Sequence, residues 1–183
     1  MTVVNLIKTT HEHLEMIRTW RMLPEVTKYM YTDPIITKEE QRDWFSKVKS
    51  DNSVIYWIIY VDYKPVGLIN LFDIDFINSR CAWAYYIGDT NMRGKGIGTL
   101  LECNIYDYVF YSLRLNKLWC EVMLSNTKVI DIHKKFGSKV EGVFKEYIIK
   151  NGEKLDVVRM AILKTEWDQI RSNYVYEKIS IEE

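Results

Sequence analysis

The sequence predicts an α/β (α+β) fold in which helices lie on both faces of a mixed, mostly antiparallel sheet. Two observations lead to this prediction. Stretches that alternate apolar and polar residues, as strands do, are interleaved with stretches whose apolar residues recur at helical spacing. Several of the strands follow one another across short turns, which favours antiparallel pairing. The predicted order is β-α-α-β-β-β-α-β-α-β-β, with residues 1–166 as one domain and residues 167–183 as a short C-terminal helix and tail.

The first half of this order begins with a strand near Val4 and a helix that Thr10 caps. Residues 37–40 form a capping box, in which a threonine hydroxyl and a glutamate satisfy free backbone amides, and they open a second helix that ends near residue 48. Three successive antiparallel strands are predicted at residues 56–61, 66–73 and 80–87.

The second half alternates helices and strands until it ends in a hairpin. Residues 125–127 supply the cap of one helix, and Asn151-Gly152 suits the tight turn of the hairpin. The predicted elements are a helix that ends near residue 112, a strand at residues 118–124, a helix from about residue 128 to Gly137, strands at residues 142–149 and 155–163, and a C-terminal helix that Trp167 opens.

Composition excludes several kinds of protein. Lysine and arginine number 25, as do aspartate and glutamate, so the chain has no basic field with which to gather nucleic acid or an anionic membrane. Three cysteines in apolar stretches predict buried free thiols and a cytoplasmic location. No signal peptide and no membrane span are expected. No metal site is expected either, because the two histidines of residues 11–13 are too close together in sequence to share a helix face.

The most informative segment is Arg93-Gly94-Lys95-Gly96-Ile97-Gly98, which lies between a predicted strand and a predicted helix. Three of the chain's eight glycines alternate there. Glycines let a backbone approach a ligand closely, and the first amides of a helix lack partners and lie at its partly positive end. The segment therefore predicts an anion site suited to phosphate.

Two familiar phosphate loops do not fit this segment. A dinucleotide fingerprint needs its third glycine one position later than Gly98, and no series of βαβ units follows. A P-loop needs a Gly-Lys-Ser/Thr ending, which the chain lacks. A solvated glycine-rich turn is the remaining structural alternative.

A third pattern fits. The segment has the pattern arginine, two residues, glycine, one residue, glycine, and it lies at the junction of the fourth strand and its helix. This pattern resembles the acetyl-CoA motif of the GNAT N-acetyltransferases. Asn126 and residues 132–137 resemble that family's pattern after the fifth strand, and the resemblance runs over almost the whole chain.

The resemblance implies an acetyl-CoA dependent N-acetyltransferase and assigns its cofactor site. The backbone of Tyr86 and Ile87 would pair with the pantetheine arm, and Asn126 would contact the arm near the thioester. The pyrophosphate would be held by Arg93, Gly94, Lys95, Gly96, Ile97, Gly98 and Thr99.

The chain departs from the family pattern at two positions. His133 stands where the family usually has the tyrosine that protonates the leaving thiolate, and Ser138 replaces a phenylalanine. An imidazolium can also donate a proton, so His133 is the candidate catalytic acid. The alternative is that His133 only packs or hydrogen bonds and that water protonates the thiolate.

The prediction of the acceptor amine depends on a more specific resemblance. The region around Trp20 to Phe45 and the C-terminal hairpin resemble a branch that acetylates the 4-amino group of a UDP-linked amino sugar on the route to pseudaminic acid. In that branch Arg21, Met30 and Trp44 would line the acceptor cleft, and Arg21 would offer a fork to phosphate or uracil oxygens.

Three alternatives stay open at the level of sequence. Protein N-termini, as in ribosomal-protein acetyltransferases, and polyamines are other acceptors. A non-catalytic acyl-CoA-binding sensor would keep the cofactor loop without turnover. The sequence also leaves open whether two copies associate as a homodimer.

Overall fold

The computed structural model describes residues 3–183, and the chain divides into two compact units. The first unit comprises the described residues up to Ile74, together with Ala84–Lys95 and Ile179–Glu183. The second comprises Asp75–Trp83 and Gly96–Lys178. That residues 1–166 form one domain and residues 167–183 a tail stays a prediction, although Trp167 is itself fully buried.

The first unit holds strands in the order β8-β1-β2-β3, followed by the second half of β4. β1 pairs antiparallel with β2, β2 antiparallel with β3, and β8 parallel with β1. Its elements are β1 (Val4–Lys8), α1 (Leu14–Arg21), α2 (Pro24–Thr27), α3 (Lys38–Ser50), β2 (Ile55–Val61), β3 (Lys64–Asp75), the second half of β4 (Arg80–Ile87) and β8 (Ser180–Ile181).

The second unit holds the first half of β4 and then strands in the order β5-β7-β6. β4 and β5 run parallel, whereas β5 with β7 and β6 with β7 are antiparallel. Its other elements are α4 (Ile97–Asp107), a π-helical turn (Tyr108–Ser112), β5 (Lys117–Met123), α5 (Thr127–Lys135), β6 (Lys139–Lys150), β7 (Glu153–Leu163) and α6 (Lys164–Ile170).

The predicted fold class, a mixed and mostly antiparallel α/β arrangement, is confirmed. The Thr37 capping box also forms, since the Glu40 amide donates to the Thr37 hydroxyl over 3.1 Å. Two elements were not predicted: α2, which Pro24 opens because its fixed φ suits a first helical turn, and the two-residue β8. The C-terminal helix begins at Lys164 and not at Trp167, because the Glu166 carboxylate accepts from the Leu163 amide and caps it earlier.

Apolar side chains fill the interior of each unit. In the first unit Ile17, Ile58 and Leu68 form a cluster against which five partly buried side chains pack: Met16, Trp44, Tyr56, Tyr60 and Tyr86. The three cysteines are buried and free, as predicted. Among the described residues, no helix combines the length and apolar character that a membrane span requires.

Candidate functional site

The glycine-rich turn adopts the backbone that its sequence predicts. Gly94 and Gly96 have φ of 76° and 78°, in the left-handed region that favours glycine. A side chain at either position would meet nothing within 4 Å, so backbone conformation, and not crowding, calls for glycine here. Both glycines and Lys95 between them are exposed.

Gly96 is also the residue from which α4 begins, and no described side chain caps that end of the helix. The amides of Ile97, Gly98 and Thr99 form the first turn, where no intrahelical partner exists. The second unit therefore has free backbone amides at the amino end of α4, where an anion is stabilised.

Arg93 has a different role from the one its charge suggests. In the first unit, one guanidinium nitrogen donates to the carbonyl oxygens of Ile87 and Glu25, over 3.0 and 3.1 Å. The side chain therefore ties the segment after β4 to the start of α2. Lys95 has its ammonium 3.6 Å from the Met92 sulfur, a weak acceptor, and stays exposed.

The three residues predicted to bind the acceptor amine, Arg21, Met30 and Trp44, all belong to the first unit. A guanidinium nitrogen of Arg21 lies 2.6 Å from the sulfur of Met30. The Trp44 ring meets the Tyr56 ring edge to face, with centroids 5.1 Å apart. Burial raises the pKa of Tyr56, and the charge of Arg21 opposes that rise, so the guanidinium acts on this aromatic group.

Two tyrosine side chains, Tyr56 and Tyr86, also belong to this cluster. Burial raises the pKa of Tyr86, again against the charge of Arg21, and the Tyr86 hydroxyl has no hydrogen-bond partner in the described part of the chain. Tyr56 lies beside Trp44. The pairs Tyr56-Trp57 and Tyr85-Tyr86 were the available signal, since one ring of an adjacent pair in a strand points away from the other.

A groove of about 520 Å³ lies in the same unit. Trp20 forms part of its wall, and a side chain on Gly88 would come within 2.4 Å of the Trp20 ring. The residues that line the groove are Met16, Trp20, Leu23, Glu25, Pro65, Gly88, Asp89 and Thr90. Two of them, Glu25 and Asp89, are acidic.

In the second unit, Asn126 and His133 lie at opposite ends of α5. Asn126 is the partly exposed residue from which the helix begins, and its side chain makes no capping hydrogen bond within the described chain. His133 is only 3% exposed, and its Nδ1 lies 2.7 Å from Oε1 of Glu102 on α4. Neither atom has a hydrogen bond among the described residues, so the contact is one of charge with poor hydrogen-bond alignment.

The charge on His133 is fixed by these surroundings. Burial by itself lowers the pKa of His133, but the negative charge of Glu102, with a smaller effect of Cys120, outweighs burial and raises the pKa to about 10. The ring is thus an imidazolium at neutral pH. That His133 serves as the catalytic acid stays a prediction.

A left-handed glycine turn before an uncapped helix is the kind of backbone that suits a phosphate group. Residues 4–139 match the family model described as Acetyltransferase (GNAT) domain. The chain therefore belongs to the GNAT acetyltransferases, and the prediction of an acetyl-CoA dependent enzyme that acetylates amines is confirmed.

Two relatives match most of the chain. Spermidine N(1)-acetyltransferase of Escherichia coli (strain K12) is 29% identical over 142 residues, which are 78% of this chain and 76% of that protein. Acetyltransferase PseH of Campylobacter jejuni (strain 81-176) is 28% identical over 134 residues, which are 72% of this chain and 80% of that protein.

Among solved structures, spermidine N-acetyltransferase from Vibrio cholerae in complex with CoA and spermine has a TM-score of 0.84. It is 24% identical, and the match covers 90% of this chain and 97% of that chain. This likeness supports the fold.

Proposed function

We propose that this enzyme transfers the acetyl group of acetyl-CoA to the 4-amino group of a nucleotide-linked amino sugar. One observation carries the choice of acceptor: the guanidinium of Arg21 lies close enough to Tyr56 and Tyr86 for its charge to act on both phenols, and it contacts the thioether of Met30. A thioether is a weak acceptor, so the guanidinium keeps its capacity to bind an anion. Phosphate and uracil oxygens suit that fork, and the aromatic rings suit a base.

The cofactor residues are those that the resemblance to the family implies, and the uncapped amides of α4 support the pyrophosphate site. In the second unit, the amides of Ile97, Gly98 and Thr99 would bind the pyrophosphate, and Asn126 would contact the arm near the thioester. In the first unit, the backbone of Tyr86 and Ile87 would pair with the pantetheine arm. Arg93 braces the segment before the turn and would act through backbone position more than through its charge.

When bound, acetyl-CoA supplies an acetyl group activated as a thioester. The chain's part is to hold the acceptor amine in its neutral form against that group and to offer a strand amide to the oxygen on which charge develops. Arg21, Met30 and Trp44 would orient the acceptor: Arg21 contacts Met30, and its charge acts on Tyr56, against which the Trp44 ring packs.

Polyamines are the second candidate acceptor, and the groove of the first unit favours them. Glu25 and Asp89 line that groove beside the Trp20 ring, and an alkylammonium can bind carboxylates and an aromatic face together. The spermidine acetyltransferase relative also supports this candidate.

An acceptor panel separates these candidates. A UDP-linked 4-amino sugar, spermidine and a ribosomal-protein N-terminal peptide are each mixed with acetyl-CoA, and products are followed by mass detection. Product from the nucleotide sugar alone supports the proposal, and its loss in Arg21→Gln, but not in the exposed control Arg42→Gln, supports the role of Arg21.

Other outcomes overturn this assignment. Acetylated spermidine, with loss of activity in Glu25→Gln/Asp89→Asn, would replace the nucleotide sugar by a polyamine. Acetylated peptide would assign a protein substrate. Cofactor binding with no turnover on the whole panel would favour the sensor alternative.

A further inference from the structure

The side chain of Tyr86 on β4 ends in a hydroxyl that the fold itself does not use. Its ring packs against the core that Ile17, Ile58 and Leu68 form in the first unit. The hydroxyl oxygen is buried, and no group of residues 3–183, which the structure describes, forms a hydrogen bond with it. A buried hydroxyl without a partner destabilises a folded protein, and most buried polar groups have a partner. We therefore expect this hydroxyl to bind a ligand.

Tyr60 shows what a structural hydroxyl looks like in the same cluster. Its ring packs against the same core, and its hydroxyl lies 3.1 Å from Nε2 of His13. The two tyrosines thus share their side-chain type and their apolar support, but they differ in whether the described chain supplies a partner to the hydroxyl. Tyr60 is therefore the matched control for Tyr86.

Arg21 is the cation whose charge reaches Tyr86. Burial raises the pKa of Tyr86, and the charge of Arg21 opposes that rise without cancelling it. The phenol therefore stays neutral at physiological pH and keeps a hydrogen to donate. A guanidinium repels that hydrogen, which favours donation to a third group. Together the two side chains suit a ligand that has an anionic group and, near it, a neutral oxygen.

Trp20 connects this cluster to the groove of about 520 Å³ in the same unit. It lines the groove, and its ring meets the Tyr86 ring edge to face with centroids 6.5 Å apart. Trp20 is partly exposed, and a side chain of this kind changes rotamer readily, so a molecule in the groove can approach Tyr86 when the indole moves. The carboxylates of Glu25 and Asp89 also line the groove and repel anions, so we expect the anionic part of a ligand to lie toward Arg21.

The backbone of Tyr86 is closely packed against β3. A side chain on Gly67 would come within 2.2 Å of the Tyr86 carbonyl oxygen, so only glycine allows this approach. The strand therefore fixes the position from which the Tyr86 side chain projects, roughly perpendicular to the sheet. The proposed function places the pantetheine arm against the backbone of Tyr86, so a molecule bound by its side chain would lie near that arm.

We propose that Tyr86 is a specificity-determining residue of the acceptor site: its hydroxyl donates a hydrogen bond to an oxygen atom of the acceptor molecule, beside the anionic group that Arg21 binds. The inference rests on the proposed function for the place of the acceptor. It deepens that function, because a nucleotide-linked sugar has both an anionic group and neutral oxygens, whereas a polyamine has neither.

The test compares Tyr86→Phe with the wild type and with Tyr60→Phe on the amine that the acceptor panel identifies. Tyr86→Phe removes the hydroxyl but keeps the ring and the backbone. We expect its KM for the acceptor to rise about tenfold or more, with a smaller change in kcat, because a hydrogen bond to the acceptor is lost. The KM for acetyl-CoA is expected to stay the same, since the backbone that would pair with the pantetheine arm is kept.

Thermal unfolding separates this role from a merely structural one. Tyr86→Phe loses no hydrogen bond of the described fold and removes a buried polar group, so its Tm is expected to equal or exceed that of the wild type. Tyr60→Phe loses the contact with His13, so its Tm should fall while its acceptor KM stays the same. An unchanged acceptor KM in Tyr86→Phe overturns the inference, and so does a Tm that falls as it does in Tyr60→Phe.

The acceptor panel distinguishes failure of this inference from failure of the proposed function. If the nucleotide sugar is acetylated and Arg21→Gln raises its KM but Tyr86→Phe does not, the proposed function stands and the inference is wrong. If the peptide is acetylated instead, the proposed function is wrong, and a raised KM of Tyr86→Phe for the peptide supports the inference, because peptide carbonyls supply the oxygen. Acetylated spermidine overturns both, since a polyamine carries no oxygen.

Discussion

The guanidinium of Arg93 donates to the carbonyl oxygen of Glu25, 68 positions earlier in the chain, over 3.1 Å. The same nitrogen also donates to Ile87. The arginine that opens the glycine-rich turn is thus a brace within the first unit. Its position matches the family pattern, and its side chain binds this protein's own backbone.

Replacing Arg93 tests whether its two hydrogen bonds stabilise the fold. We expect Arg93→Ala to lower the free energy of unfolding by about 1 kcal/mol, since two hydrogen bonds at an exposed site are lost. Faster hydrogen exchange at Gly88 and Asp89 would accompany this change. Lys95→Ala, in the same turn, is the control and is expected to leave both measurements unchanged. An equal effect of the two variants would contradict the bracing role.

Gly96 should bind cofactor through its backbone conformation. We expect Gly96→Val to raise the dissociation constant of acetyl-CoA at least tenfold in a calorimetric titration, because φ of 78° is strained for a β-branched residue and the amides behind it would shift. Gly152→Val is the matched control, since Gly152 has φ of 82° and equally open surroundings in the β6–β7 turn. It should lose stability by a similar amount but bind the cofactor normally; unchanged affinity in Gly96→Val would end the pyrophosphate assignment.

The ion pair of Glu102 and His133 predicts how stability depends on pH. The pKa of His133 is raised to about 10 in the folded protein, while the unfolded value is about 6.5. The pair's contribution is therefore complete below the unfolded value and is lost as pH rises toward the folded value. The difference in unfolding free energy between wild type and His133→Gln should shrink from pH 7 to pH 9 in denaturant titrations; a difference that grows with pH would contradict the assignment.

Asp107 joins α4 to the C-terminal segment of the second unit. Its carboxylate accepts from the side chains of Trp167, Arg171, Tyr176 and Lys178. Burial opposes ionisation, but these donors, led by Arg171, hold the pKa of Asp107 well below its usual range.

We expect Asp107→Asn to lower the free energy of unfolding by about 2 kcal/mol or more at neutral pH, because four donors lose their charged acceptor. Asp168→Asn is the control: its exposed pair with Lys164 should contribute less than about 1 kcal/mol. Thermal unfolding of both variants checks this. Since the folded pKa is depressed, the Asp107 contribution should begin to decline as pH falls below about 4, the unfolded value, and it is lost only as pH falls through the much lower folded pKa.

The elements that were predicted correctly carry local signals. The capping box of Thr37 and the Asn151-Gly152 turn each depend on residues that are adjacent in sequence, so their physics is visible in the sequence. Helix α2 and strand β8 were missed because four and two residues are too few to show a period. Their stability comes from packing and pairing with distant residues.

The contacts of His133 also show that partners distant in sequence could not be predicted. The sequence identified His133 and Ser138 as departures from the family pattern, but not their partners, because Glu102 lies 31 positions before His133. One signal was available: Glu102 follows Leu100 and Leu101 in a helix with few polar residues. A lone carboxylate on an apolar helix face calls for a buried partner.

The buried carboxylate of Glu102, which contacts His133 and accepts from the Tyr106 hydroxyl, also restricts how such a chain can change. A tyrosine at position 133 would leave the Glu102 carboxylate buried opposite a neutral ring, and a phenylalanine at position 138 would displace the hydroxyl that meets Tyr106. Either substitution alone is therefore expected to destabilise the folded chain. The side chains of His133, Glu102, Tyr106 and Ser138 thus constrain one another, and a change at one of them is tolerated only where the others can adjust.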